Sequence, residues 1–213
     1  MIRKTIRLRK NEEIVNSTSH GIGLLIAFAC TSLLIIRAAN HGTVWHIVTY
    51  SIFGAGLINL YAASTLFHSA INLKKKSLLN RFDHSSIYIL IAATYTPFSL
   101  IGIKHAFGWV VFGLVWAMAI AGVIFKIWFY SSKYRTISVW LYVIMGWTGI
   151  IAIYPIVQNV HVTSLWLLLV GCLSYSFSVV FYLIEKIPYS HGVFHIFILG
   201  GSICHFFSLM FLI

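Results

Sequence analysis

Acidic residues are almost missing from this chain. Four occur in 213 residues, namely Glu12, Glu13, Asp83 and Glu185, so Asp83 is the only aspartate. Charged residues of both signs make up 9%, against roughly a quarter in a soluble domain. Such a chain cannot cover a globular surface with polar groups, which excludes water as its main solvent. Proline is scarce, at three residues. No linker or break in composition divides the sequence, so a single domain over residues 1–213 is expected. The three cysteines, Cys30, Cys172 and Cys204, stand singly inside apolar runs. That spacing excludes a paired disulfide framework and a C-x-x-C metal knuckle, and leaves them as small buried side chains. No cleavable leader is expected, because the first apolar run follows about twenty polar residues without a small-residue cleavage site.

What the chain has instead is hydrophobic length. Residues of the apolar and aromatic types make up 60%. Seven runs reach the roughly twenty residues that a membrane helix needs: 19–38, 44–71, 84–103, 107–129, 137–157, 163–184 and 190–212. Lipid offers the backbone no hydrogen-bond partners, so each run is expected to be a helix. The fold class is therefore an all-α integral membrane protein, a bundle of seven transmembrane helices. Residues 1–18 form a cytoplasmic amphipathic N-terminal segment ahead of it.

The basic residues orient the bundle. With seven spans, thirteen Lys and Arg fall on one side and only Arg37 and Lys104 on the other. The positive-inside rule then places the N-terminus in the cytoplasm and the C-terminus outside. The net charge of +11 is accounted for by topology and by anionic lipid, so nucleic acid is not an expected partner. Trp45, Trp109, Trp128, Trp140 and Trp166 fall near span ends, as an interfacial aromatic belt should.

Ionisable residues inside membrane spans are costly and point to function. His191 and His195 open the last span four residues apart, on one helix face. His68 lies six residues before Lys74, about 9 Å inside the basic loop. His191 and His195 lie about 8 to 14 Å from Lys186 by the same measure. Asp83 starts the third span, two residues after Arg81. These four side chains share one depth near the cytoplasmic face. Three histidines from two helices suit a catalytic zinc site whose fourth position holds water, and the lone aspartate could touch that water and serve as general base.

Other polar residues admit two readings each. Ser64 shares a face with His68. It either supports the site or bonds back to its own helix carbonyl. Glu13, Asn16, Ser17 and His20 form one stripe at i, i+3, i+4, i+7. They are either capping residues of a helix start or supporting residues around the metal, with Glu13, Asn16 and His20 the candidates. His205 shares the stripe of His191 but lies about 15 Å deeper than His195, so it is expected to bond a neighbouring helix. Pro97 should loosen the third span, with nearby threonine hydroxyls serving freed carbonyls. Gly54, Gly56, Gly146 and Gly149 are candidates for helix contacts.

Four stretches together resemble one family. They are E-x-x-N-S-x-x-H at Glu13–His20, S-x-x-x-H at Ser64–His68, D-x-x-x-I-x-x-x-I-A-A-T-Y-T-P at Asp83–Pro97 and H-x-x-x-H at His191–His195. On these the chain is similar to the hemolysin III family, within the progestin and adipoQ receptor superfamily, and shows no departure at the motif positions. The resemblance implies zinc (Zn2+) on His68, His191 and His195, with Asp83 reaching it through water. It also implies kinship with alkaline ceramidases. The expected function is a zinc-binding membrane protein that hydrolyses lipid amides at the cytoplasmic leaflet, with Asp83 and Ser64 catalytic and membrane lipid as substrate, serving lipid homeostasis in a bacterial plasma membrane. Two alternatives stand beside it: a non-enzymatic sensor with structural zinc, and a haemolysin-type cytolytic protein.

Overall fold

The apolar runs fold as helices because each can satisfy its own backbone, and polar or glycine-bearing breaks separate them. A computed structural model of the chain describes residues 2–103, 106–129, 134–184 and 186–213, with side chains from Lys10 onward. The basic residues Arg3, Lys4, Arg7, Arg9, Lys104 and Lys133, together with His105 and Glu185, lie outside the residues whose side chains are described. In chain order the helices are α1 (Ile2–His41), α2 (Val44–Ser69), α3 (Leu73–Pro97), α4 (Ala106–Trp128), α5 (Arg135–Trp147), α6 (Ile153–Asn159), α7 (Val162–Leu183) and α8 (Ser190–Met210). A π-helical turn, Phe98–Gly102, extends α3, and a 3-10 turn, Thr148–Ala152, joins α5 to α6. Among the described residues there are seven helical spans long and apolar enough to cross a membrane. The α5–α6 pair makes the fifth.

Two boundaries differ from the sequence reading. The first helix does not begin at residue 19. It is continuous over 40 residues, about 60 Å at the ordinary helical rise, so its polar first half runs on past the apolar part. The basic stretch after His68 is not a loop. It is the first turns of α3, capped by Asn72, whose side chain accepts from the Lys74 and Lys75 amides at 3.0 and 3.2 Å.

Neighbouring spans pack in chain order, and α8 closes back against α1. Close approach depends on small residues. A methyl group at Gly54 would collide with Thr31 of α1, and one at Gly56 would come within 2.6 Å of Ala93 of α3. Gly146 faces open space instead. Hydroxyls tie the helices at depth: Tyr50 donates to the Leu209 carbonyl at 2.7 Å, and Ser164 and Ser208 bond across α7 and α8. Arg37 donates to the Met210 carbonyl at 3.0 Å, satisfying an orphan carbonyl at the end of α8. After Pro97 the chain continues as a π turn, closed by the Ile103 amide donating to the Phe98 carbonyl at 2.9 Å. Thr94 and Thr96 bond back to Leu90 and Ala92.

These contacts bring one end of four elements together. The last turn of α2, the first half of α3, the polar half of α1 and the first turns of α8 meet where Lys10, Lys74, Lys75, Lys76 and Arg81 also lie. They make up the basic end of the bundle.

Candidate metal centre

His68 occupies the last turn of α2, and His191 and His195 face it from the start of α8. The structure brings these three together. One ligating nitrogen from each lies within 4.8 Å of the others, and Asp83 is not among the converging donors. Ring centroids are 5.1 Å apart for His68–His191 and for His68–His195, and 4.6 Å for His191–His195. His195 is 1% exposed.

The hydrogen bonds at the far side of two rings fix which nitrogen faces inward. His68 Nδ1 donates to Glu13 Oε2 at 2.8 Å, so Nε2 carries the lone pair. That Nε2 is buried and has no hydrogen-bond partner among the described residues. Ser19 spends its hydroxyl proton on the Asn16 carbonyl at 3.0 Å and lies 3.0 Å from His195 Nδ1. The imidazole must therefore be the donor in that contact, and His195 Nε2 is also left with its lone pair. An imidazole whose outer nitrogen donates to a carboxylate or other oxygen presents the arrangement found behind metal-bound histidine.

A tetrahedral zinc with bonds of about 2.0–2.1 Å holds its ligands about 3.4 Å apart. Three imidazole nitrogens within 4.8 Å fit such an ion after a small contraction, and the all-imidazole donor set suits zinc, copper, iron or nickel. The residues present therefore fit a metal ion.

Each remaining candidate has a definite place. The Ser64 hydroxyl donates to the Asp83 carboxylate, with His68 and Lys126 close by. Of its two readings, Ser64 thus turns outward from its own helix. Asp83 Oδ2 lies 3.9 Å from His84 Nδ1. Glu13 bridges His68 and Lys76, the latter at 2.7 Å. Asn16 is buried and contributes its carbonyl behind His195. His20 stacks on His195, with centroids 3.5 Å apart and planes at 14°. His205 stays apart from the triad: its Nε2 lies 3.3 Å from the Leu168 carbonyl of α7.

Four further side chains take part that spacing did not single out. Ser19 sits off the Glu13–His20 stripe. His84 and Tyr182 are hydrogen-bonded to each other at 3.0 Å, and the Tyr182 ring lies 5.9 Å from His191. Lys126, counted with the basic loops, is 4% exposed and lies over the Tyr142 ring. A buried lysine in an apolar run was the only signal, and its position at a span end hid it. The chain ahead of α8 is also held: Tyr189, with φ of 60°, donates its amide to Glu12 Oε1 at 2.9 Å. A left-handed non-glycine residue is strained, and here it sits two residues before His191.

Comparison with known proteins agrees with this architecture. The model of the Haemolysin-III related family matches residues 8–206. The Hemolysin-3 homolog of Bacillus subtilis (strain 168) is 42% identical over 200 residues, covering 94% of this chain and 93% of that one. Hemolysin-3 of Bacillus cereus is also 42% identical, over 94% and 91% of the two chains. The human Monocyte to macrophage differentiation factor is 28% identical over 93% and 83%. The chain belongs to the haemolysin III-related family, and is a multi-pass membrane protein.

Proposed function

We propose that the three imidazoles hold zinc and that the centre hydrolyses an amide bond of a membrane lipid, with the basic end in the cytoplasm. The observation that carries this reading is the pair of fixed imidazoles. Glu13 behind His68 and Ser19 behind His195 leave both inner nitrogens unprotonated and aimed at one point. Zinc on three imidazoles would supply a Lewis acid and lower the pKa of a water toward about 7.

The chain's own residues do the rest. Asp83, steadied by the Ser64 hydroxyl, is the carboxylate placed to accept a proton beside the triad. His68 and His195 are 7% and 1% exposed, which keeps bulk water from the triad. An acyl lipid at the cytoplasmic leaflet has its linkage near the depth of His68 and His191, which lie one to two turns inside the basic residues.

The test is direct. The purified protein should carry about one zinc per chain by elemental analysis, and Asp83→Ala or His191→Ala should abolish product from ceramide-like substrates. Unchanged turnover by metal-free protein would refute the reading.

A second reading has its own support: Glu13, Ser19 and the triad tie α1, α2 and α8 together, as a structural metal clasp would. Zinc-dependent thermal stability without turnover on any lipid would favour it, and with it a sensor or regulator. The relatives named for haemolysis suggest a cytolytic role. Full lysis by the metal-free His191→Ala form would separate that activity from the centre.

A further inference from the structure

The third histidine is held differently from the other two. Glu13 and Ser19 stand behind His68 and His195, whereas the contacts of His191 among the described residues are ring against ring, with His68, His195, Tyr182 and Phe194. His191 is also the one member of the triad that is not fully buried. It lies in the first turn of α8, and that helix has no side-chain cap of its own. Ser, Thr, Asp or Asn ordinarily fills the N-cap. Here the N-cap is Tyr189, whose side chain makes no capping bond, and the first turn carries no acid. Tyr189 is the one non-glycine residue with a positive φ, 60°, among the described residues. Crowding at Cβ disfavours that conformation in a tyrosine.

A carboxylate from another helix takes the place of the missing cap. Glu12 Oε1 of α1 accepts the Tyr189 N–H at 2.9 Å, and a negative charge at a helix N-terminus also suits the helix dipole. Further contacts between α1 and α8 follow at helical spacing. Val15 and Asn16 lie against Gly192, where an added methyl would come within 3.0 Å of the Val15 side chain and 3.5 Å of Asn16 Oδ1. Ser19 then meets His195 Nδ1 at 3.0 Å. Glu12, Val15, Asn16 and Ser19 thus make one stripe on α1, and the stripe runs from the exposed end into the bundle. Residues 186–189 ahead of α8 are exposed and Glu12 is partly so, whereas Asn16 and His195 are 5% and 1% exposed. Exposed hydrogen bonds at an element's end open at lower free energy than buried ones. The first turn of α8 therefore parts from α1 at Glu12 first, with the Ser19–His195 contact still in place.

We propose that Glu12 is the positioning residue of the third histidine, and that the first turn of α8 is the gate through which a metal ion is exchanged at the basic end of the bundle. With the Glu12–Tyr189 bond formed, the left-handed turn keeps His191 against His68 and His195. When the bond breaks, the turn relaxes and His191 moves out, while His68 and His195 stay fixed by Glu13 and Ser19. The inference rests on the metal reading of the triad and is independent of lipid hydrolysis.

Zinc exchange kinetics test it. The full chain in nanodiscs of phosphatidylethanolamine and phosphatidylglycerol is loaded with zinc. Release is timed against excess chelator, uptake by stopped flow with a chromophoric zinc indicator, and affinity by competition at equilibrium. Glu12→Ala should speed release and uptake together by at least about tenfold while affinity stays within about threefold, because a gate changes rates in both directions. Glu12→Gln keeps an oxygen that accepts the Tyr189 N–H and should stay within about threefold of wild type. Glycine enters the left-handed region at no steric cost, so adding Tyr189→Gly to Glu12→Ala should slow exchange at least about fivefold relative to Glu12→Ala alone. Deuterium exchange in Glu12→Ala should rise over residues 189–193 and stay unchanged over 202–208. Wild-type rates in Glu12→Ala overturn the proposal. So does equal acceleration by Glu12→Gln, which would make the charge rather than the bond the cause, or a loss of affinity in step with faster release at unchanged uptake. A wild type that binds no zinc overturns the metal reading and the gate with it. Gated zinc exchange in a protein that hydrolyses no lipid leaves the gate standing and removes the hydrolase.

Discussion

Glu13 offers the sharpest test of how the centre is built. Its carboxylate accepts from His68 Nδ1 at 2.8 Å, with side-chain exposures of 4% for the histidine and 38% for the glutamate. Its other oxygen meets Lys76 at 2.7 Å, where the lysine is 24% exposed. Losing the partner behind a metal-bound histidine typically lowers metal affinity about 10- to 100-fold, or about 1.4 to 2.7 kcal/mol at about 1.36 kcal/mol per decade. Glu13→Gln keeps an oxygen that can accept, so it should fall near the tenfold end. Glu13→Ala leaves the Nδ1–H of an almost fully buried ring without a partner and should approach 100-fold. Lys76→Met removes only a water-screened pair, worth about 0–1 kcal/mol, and should shift affinity less than about fivefold. The assay is competition for zinc against a chromophoric chelator in detergent, with zinc per chain read by elemental analysis. Wild-type affinity in Glu13→Ala would refute the claim that this carboxylate fixes the imidazole. A Lys76→Met loss as large as that of Glu13→Ala would move the cause to the ion pair.

The same geometry has other consequences. Asp83→Asn should retain zinc while turnover falls at least about 100-fold, the range for a lost general base; zinc loss in that variant would make Asp83 a metal-holding residue instead. Three imidazoles must each be unprotonated to hold a metal, so metal retention should rise with pH and be lost on acidification, as chelator-challenged zinc content against pH will show. Gly54→Leu should force α1 and α2 apart at Thr31 and cost about 1–3 kcal/mol as an overpacked contact; an unchanged melting temperature in the purified protein would count against this helix approach.

Fold and centre were legible in the sequence to different depths. Seven spans follow from run length and from the lack of charge, because lipid leaves the backbone no other choice. The i,i+4 spacing of His191 and His195 and their depth relative to Lys186 point at His68 without any packing order, since depth is set by the membrane. Helix ends were harder to read. The lysines after His68 look like a loop because they are charged, yet Asn72 caps them into α3. Lys126 looks like a loop charge because it sits at a span end, yet α4 turns it inward against Tyr142. Contacts between helices were not readable at all. The stripe Glu13–Asn16–Ser17–His20 has the spacing of one face, but nothing in the spacing says that it faces the triad.

That missing information is concentrated in one helix. α1 gives no donor to the converging set, yet it meets each of the three histidines or the chain beside it. Glu13 holds His68, Ser19 and His20 hold His195, and Glu12 holds the strained turn at Tyr189 ahead of His191. A span needs only about twenty residues, whereas α1 has 40, and these contacts come from Glu12, Glu13, Ser19 and His20 in its polar half. From outside the donor set, α1 thus positions His68 and His195 directly and reaches His191 only through the turn at Tyr189.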